Sequence, residues 1–232
     1  MNNLKKYYKS FILLSYSGII FFYYFSGIIK KLVHPRMHVF VLITALIILL
    51  FALLEFFINK NDEVRKSNII YLLPLLLIFF INGANLSNSI IKNKGVDIGK
   101  NQPSQNTNTK IDDTVDKIII SEDKYYNNTL DLIYNIDKNV GKTVVIHGFI
   151  HRDNSTLENQ FIIGRMAMVC CAADAYLIGL LAEYNDYKSI KTNEWYEMTG
   201  IISKTEQSNF HIALLTITDV KKIDKPKDEY VY

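Results

Sequence analysis

Two adjacent cysteines followed by a carboxylate are the residues of this 232-residue chain that are best suited to chemistry. Cys170 and Cys171 stand side by side, and Asp174 comes three residues later. Thiolates are good ligands for zinc or copper(I), and a carboxylate can complete part of such a site. Neighbouring side chains of a strand point to opposite faces, so both cysteines can bind one ion only if the chain turns here. The segment is therefore a candidate site for a transition-metal ion such as zinc.

An imidazole could supply a further ligand. His147 and His151 share one face of a predicted strand, because an even number of residues separates them, and His211 opens the last predicted strand. We include His147 in the candidate ligand set and hold His151 and His211 in reserve. The competing interpretation is that these histidines are ordinary strand residues with satisfied hydrogen bonds.

The two cysteines also have explanations other than metal binding. Cysteine is among the residues most often buried, so core packing is one of them. A bridge between adjacent cysteines would be strained, since neighbouring Cα atoms lie about 3.8 Å apart and disulfides prefer roughly 4.4–6.8 Å. The spacing matches no zinc-ribbon pattern, and Asp174 could instead pair with Arg165. Metal ligation, core packing and thiol chemistry all stay open.

Familiar catalytic motifs are missing from the sequence. It contains no glycine-rich phosphate loop, no G-x-S-x-G elbow and no H-E-x-x-H pair. We therefore expect no enzymatic activity, with a thiol-based enzyme as the alternative. Such an enzyme would need a thiolate of lowered pKa in an exposed, electropositive position.

The charges are unevenly distributed along the chain. Residues 1–91 carry 9 Lys and Arg against 3 Asp and Glu, a net +6, whereas residues 92–232 carry 17 against 20, a net −3. Basic residues beside lipid-facing helices favour anionic headgroups. The acidic balance of the second half argues against a nucleic-acid partner, because phosphate binding needs a clustered positive surface.

Three apolar stretches, residues 11–29, 39–58 and 69–86, fill most of the first ninety residues. Each approaches the ~20 residues that a helix needs to cross a hydrocarbon core. No A-x-A-like cleavage site follows the first stretch, which argues against a signal peptide. We predict three transmembrane helices in residues 1–91 and hence a multi-pass membrane protein.

The orientation follows from the flanking basic residues. Their numbers on the two sides are equal, but charges that lead into a large domain count for less. This places the N-terminus inside and the soluble C-terminal domain on the extracytoplasmic side. Residues 92–114 are polar and cannot bury a core, so they are predicted to be a flexible linker.

Residues 115–232 are predicted to form a mainly-β domain with short helices. A helix is expected near residues 129–135 and a short strand at 117–121. Five longer strands are expected at residues 142–152, 159–171, 175–184, 194–204 and 210–223. Glycines in the middle of four of them suit a small, strongly curved barrel of the OB type. A β-sandwich is the alternative.

Several short segments together match a known family. They are His34-Pro35-Arg36-Met37, Leu72-Leu73-Pro74-Leu75, Asn93-Lys94-Gly95-Val96, Phe161-Ile162-Ile163-Gly164-Arg165, Cys170-Cys171-Ala172-Ala173-Asp174-Ala175, Trp195 with Thr199-Gly200, and Tyr230-Val231-Tyr232. On these segments the chain resembles the YcgQ-like family of bacterial membrane proteins, described as subunits of two-component permeases of unsettled function.

The resemblance implies a partner and a setting. The partner is a larger multi-span permease in the same bilayer, to which this chain is an accessory subunit that anchors a soluble β domain at the membrane. The resemblance also implies a link to metal handling, zinc in particular. The alternative is a membrane-tethered metal-binding or thiol-active protein that acts without a permease.

Overall fold

The computed structural model describes residues 8–58, 73, 96–97, 116–152, 156–207 and 210–232. The chain forms two compact units. The first unit comprises Met1–Leu86 together with Cys170–Ala172, and the second comprises Ser87–Val169 together with Ala173–Tyr232.

The first unit is built on helices. They are α1 (Tyr8–Phe25), the single turn α2 (Ile29–Leu32), a 3-10 turn (Pro35–Met37) and α3 (His38–Ile58). Gly27 adopts a φ of 76°, a left-handed conformation that ends α1 and that glycine accepts without a steric cost. The segment Cys170–Ala172 pairs with the chain that follows α2, through a bridge between Val33 and Cys171.

Small residues form the contact between α1 and α3. The hydroxyl of Ser10 donates to the carbonyl of Ala52 at 2.7 Å, and the hydroxyl of Ser17 donates to the carbonyl of Ala45 at 3.0 Å. Both pairs are seven residues apart on each helix and run in opposite directions, so the helices are antiparallel. The large side chains of the pair are on its outside, where the exposed ones include Phe11, Leu14, Phe22, Phe25, Phe40, Ile43, Leu46, Leu50 and Phe51.

One helix in the described part of the chain, Pro35–Ile58, is long and apolar enough to cross a membrane, with a mean hydropathy of 2.9. It corresponds to the second predicted span, and α1 covers most of the first. The third predicted span lies outside the described residues apart from Leu73, which is helical.

The second unit is a five-stranded barrel, as predicted. Its strands are β3 (Thr143–His151), β4 (Gln160–Ala167), β5 (Tyr176–Glu183), β6 (Trp195–Gln207) and β7 (Phe210–Lys222). The antiparallel pairs β3–β4, β4–β5, β6–β7 and β3–β6 and the parallel pair β5–β7 close the sheet on itself. This connectivity is that of an OB-type barrel.

Shorter elements complete this unit. They are β1 (Val96–Asp97), β2 (Lys117–Ile119), a 3-10 turn (Glu122–Lys124), α4 (Tyr125–Tyr134), α5 (Ile136–Asn139), a 3-10 turn (Tyr187–Ser189) and β8 (Tyr230–Val231). β1 falls inside the predicted linker and pairs with β5, so at least these two linker residues are part of the sheet. The helix predicted at residues 129–135 is α4, which begins earlier than predicted, at Tyr125, directly after a 3-10 turn.

Glycines allow the barrel strands to approach closely. A Cβ atom on Gly164 would lie 2.4 Å from the carbonyl oxygen of Ile178, and one on Gly179 would lie 2.3 Å from that of Ile163. Real Cβ atoms do not come so near to backbone oxygens. The mid-strand glycines of β4 and β5 therefore permit the curvature that closes the barrel.

Strands β3 and β4 pair over only part of their length. Phe149, Ile150 and His151 lie opposite residues 162–164, and beyond this point the strands diverge. The freed edge of β3 pairs with β2, and the freed edge of β4 pairs with β8. The split between β3 and β4 is where the side chain of Arg165 lies.

Candidate metal site and the buried Arg165 cluster

The chain turns at the two cysteines, as a shared ligand site requires. β4 ends at Ala167 and β5 begins at Tyr176, so the cysteines lie in the turn and not in the strand predicted through residue 171. Cys170 is exposed and Cys171 is half-buried. Their sulfurs are 3.8 Å apart, and one ligand atom from each of Cys170, Cys171 and Asp174 lies within 4.8 Å of the others.

A backbone hydrogen bond orients the carboxylate of this turn. The amide of Val169 donates to Oδ1 of Asp174 at 3.0 Å, which holds the carboxylate across the turn toward the cysteines. Arg165, which the sequence offered as an alternative partner of Asp174, is instead paired with Glu122 at 2.7 Å.

The donor set suits a soft or borderline metal ion. Two thiolates and one carboxylate fill three of the four positions that zinc takes in a tetrahedral site. Copper(I) is the other ion that favours thiolates. Within the described residues, the donor group consists of these three side chains, which fits a partly open coordination shell.

His147, predicted as a further ligand, lies in a different cluster. Its Nε2 is 3.2 Å from Nη1 of Arg165 and 3.1 Å from Oε1 of Glu122, and its ring packs edge-on against Tyr125. The structure therefore brings together three of the four predicted ligands and places the fourth beside a buried arginine.

Arg165 is the centre of that second cluster and is fully buried. Besides its contacts with Glu122 and His147, its Nη2 donates to the backbone carbonyl of Asp228. The guanidinium also lies over two aromatic rings, 5.4 Å from the centroid of Tyr125 and 5.7 Å from that of Trp195. Its Nε has no hydrogen-bond partner among the described residues.

The cluster changes the acidity of its members. Partial burial alone would raise the pKa of Glu122, but the hydrogen bond and positive charge of Arg165, assisted by His147, bring that pKa below its usual range. Burial and then the charge of Arg165 lower the pKa of His147. Burial raises the pKa of Tyr125 above its usual range. At neutral pH the cluster thus holds one cation, one carboxylate, a neutral imidazole and a neutral phenol.

The protonation of His147 decides which of its two contacts is a hydrogen bond. With Nε2 unprotonated, the ring accepts from Nη1 of Arg165, whereas with Nε2 protonated it donates to Glu122. The lowered pKa favours the neutral ring. The arginine then donates hydrogen bonds to Glu122, His147 and the carbonyl of Asp228, and these bonds connect the elements on the two sides of the split between β3 and β4.

Sequence reasoning did not find Glu122, Tyr125 or Asp228 as members of this cluster. The available signal was Arg165 itself, the one charged residue in the strand QFIIGRMA, all of whose residues are buried. A charge in such a position needs partners, but its partners lie 43 and 63 residues away along the chain.

Comparison with known proteins identifies the family of the barrel unit. A family model described as the DUF1980 C-terminal domain matches residues 98–232, which include both clusters. The chain belongs to the DUF1980 family. A protein of similar sequence is the UPF0703 protein YcgQ of Bacillus subtilis (strain 168), 28% identical over 192 residues that cover 71% of this chain and 67% of the relative. The expected membership of a YcgQ-like family is confirmed, and neither description assigns an activity.

Proposed function

We propose that this protein is a membrane-anchored accessory subunit that holds a thiophilic metal ion, zinc being the first candidate, in the turn between β4 and β5. The observation that carries the proposal is the convergence of ligand atoms from Cys170, Cys171 and Asp174 within 4.8 Å. These donors are of types that bind zinc, they lie on one turn, and a backbone amide holds the carboxylate of Asp174 in place.

The donor set is more typical of a site that exchanges its metal ion than of a structural site that holds the ion permanently. Structural zinc sites are closed by four protein ligands, whereas sites that exchange a ligand keep one position open. Here three protein ligands leave one position for water or for a residue of a partner. The exposure of Cys170 gives an incoming ligand access to the site.

The helical unit supports membrane anchoring. Its contact is made of serine and alanine, and its large apolar side chains face outward. Helix pairs in lipid pack in this way, because lipid solvates large apolar surfaces and small residues let the backbones approach. We propose that α1 and α3 cross the bilayer as an antiparallel hairpin, that residues 69–86 supply a third span, and that the barrel unit is extracytoplasmic.

A permease is the partner we propose. The two described helices carry only Lys9 and Glu55 as charged residues, each near a helix end, and so offer no evident path for a hydrophilic substrate. The outward apolar surface of the pair suits contact with helices of another membrane protein. Affinity purification of the full chain from native membranes in mild detergent should recover one dominant multi-span protein, and recovery of none argues against the partnership.

Metal analysis tests the central proposal. The full chain, purified without chelator, should carry about one equivalent of zinc or copper, and the Cys170→Ser/Cys171→Ser variant should carry none. Asp174→Asn should retain both thiols and bind more weakly. His147→Gln is the matched control and should keep its metal, because the imidazole lies in the Arg165 cluster. Unchanged metal content in the double serine variant would exclude the site.

A thiol-active protein is the second candidate, favoured by the 3.8 Å separation of the two sulfurs. In that case the thiols and not a metal would carry the function. Alkylation at pH 6 separates the two, since a thiolate of lowered pKa reacts rapidly there and an ordinary thiol reacts slowly.

A further inference from the structure

We infer that the reversal between α1 and α3 binds one anionic phospholipid, with an acyl chain in an apolar cavity and the phosphate at Lys30, Lys31 and Arg36. The inference rests on the proposed insertion of this helix pair in a bilayer. It concerns a site distinct from both clusters described above.

The cavity has a volume of about 460 Å³ and lies in the helical unit. This volume is within the roughly 300–1,000 Å³ of small-molecule sites. Aliphatic and aromatic side chains line it, with Ile20 from α1, Leu32 from α2 and Phe40 from α3 among them. The hydroxyl of Thr44, one of its few polar groups, donates to the carbonyl of Phe40 within the same helix. Such a lining suits a hydrocarbon chain.

The elements that wall the cavity also carry the positive charges. On α2, Ile29 and Leu32 line the cavity, while the intervening Lys30 and Lys31 are exposed. In the 3-10 turn, Met37 lines the cavity and its neighbour Arg36 is exposed. Residues that line the cavity and exposed basic residues are therefore neighbours along one short stretch of chain. The three basic residues Lys30, Lys31 and Arg36 are called the cationic rim of the cavity.

The charge of the rim selects the headgroup. Residues 26–38 contain these three basic residues and no Asp or Glu. Arginine binds phosphate through two parallel hydrogen bonds, and lysine adds a compact charge. The turn of a membrane hairpin lies where hydrocarbon meets headgroups, which is the depth at which a phospholipid presents its phosphate.

Lipid titration of the full chain in mild detergent, followed by native mass spectrometry, tests the inference. The probes are phosphatidylglycerol and phosphatidylcholine with the same acyl chains. Each basic residue near anionic lipid contributes roughly fivefold in affinity, so three should favour phosphatidylglycerol by up to about a hundredfold at low salt. Lys30→Gln/Lys31→Gln/Arg36→Gln should abolish this preference. The control Lys138→Gln/Lys188→Gln/Lys227→Gln, with three exposed lysines of the barrel unit, should retain it.

A second pair of variants tests the cavity. Val41 lines it, so Val41→Phe should fill it and weaken the binding of both lipids severalfold. The matched control Val39→Phe enlarges a side chain that is 61% exposed on the same helix and should have no such effect. Equal binding of the two lipids by the wild type would overturn the inference, and so would equal lipid affinities of the two phenylalanine variants. Crosslinking of position 41 to a helix of another protein would also overturn it, because a protein would then occupy the cavity. A chain that stays in solution without detergent would contradict the membrane anchoring itself, which is a distinguishable result.

Discussion

The fully buried Arg165 is paired with Glu122, a carboxylate whose side chain is 61% exposed, at a distance of 2.7 Å. Burying an uncompensated charge costs several kcal/mol, and this contact supplies the opposite charge for the arginine inside the barrel. The compensation comes from a 3-10 turn ahead of α4 and from the chain ahead of β8. An ion pair and a set of hydrogen bonds thereby close a part of the barrel that the strand ladder leaves open.

Removal of Glu122 should destabilise the barrel unit. Glu122→Ala leaves the guanidinium without its carboxylate, and we expect a loss of roughly 1–3 kcal/mol, less than for a fully buried pair because solvent screens the exposed partner. The free energy of unfolding can be followed by the fluorescence of Trp195, the chain's single tryptophan, which packs over Arg165. Glu206→Ala, an exposed glutamate on β6, should change stability by less than about 0.5 kcal/mol. Equal effects of the two substitutions would show that the pair contributes nothing.

The stability of the barrel unit should fall in mild acid. The pKa of His147 is lowered in the folded state from its usual value of 6.5, so below that pH the unfolded chain binds more protons than the folded one. The contribution is present above about pH 6.5 and is lost as the pH falls through the folded pKa. Glu122, whose pKa is lowered from 4.5, adds a further loss only below that pH. Unfolding midpoints measured from pH 7.5 to 5 should decline in the wild type and in the exposed-site control His211→Gln. A decline of the same slope in His147→Gln would refute the assignment.

A methyl group at Gly164 should disrupt the barrel. The Cβ of Gly164→Ala would lie 2.4 Å from a backbone oxygen of β5, so the two strands must separate, and we expect a loss of about 2–4 kcal/mol. Gly18→Ala is the matched control, because nothing lies within 4 Å of its Cβ position in α1, and alanine is the better helix former. Thermal unfolding of the two variants should differ sharply, and similar melting temperatures would count against the close approach.

Labelling of Cys170 should report the side of the membrane on which the barrel unit lies. In Cys171→Ser the exposed Cys170 is the remaining thiol. If the unit is extracytoplasmic, a membrane-impermeant maleimide should label it in intact cells treated with chelator, and permeabilisation should add little. Cys170→Ser/Cys171→Ser supplies the background. Labelling that depends on permeabilisation would place the unit in the cytoplasm.

Most of the barrel was predictable from local pattern. Alternating apolar residues located the five strands to within a few residues. The exception is β4, whose predicted end at residue 171 lies beyond the start of the turn. Gly148, Gly164 and Gly179 indicated the curvature of the barrel. The pairing of Val96–Asp97 with β5 was missed, since two residues inside a polar segment carry no periodicity. The seam of Ser10, Ser17, Ala45 and Ala52 was missed too, because a uniformly apolar helix does not reveal which face contacts its neighbour.

The two clusters differ in how many of their residues could be predicted from the sequence. Cys170, Cys171 and Asp174 are close along the chain, so their chemistry could be read directly and only the turn had to be assumed. The partners of Arg165 come from distant elements that meet at the split between β3 and β4, and no spacing rule links them. The position of His147 beside Arg165 could not be predicted for the same reason, since strand parity gives a face and not the side chains across from it.

The turn between β4 and β5 begins and ends on one cross-strand pair, Ala167 opposite Tyr176, and the ladder below that pair is continuous down to Gln160 and Glu183. Its eight residues therefore form a loop closed by the hairpin, and its segment Cys170–Ala172 is held in addition by backbone hydrogen bonds to Leu32 and His34. Insertion of one residue would shift the thiols relative to the carboxylate while leaving both strands in place, which makes loop length the natural variable for tuning the site without touching the barrel.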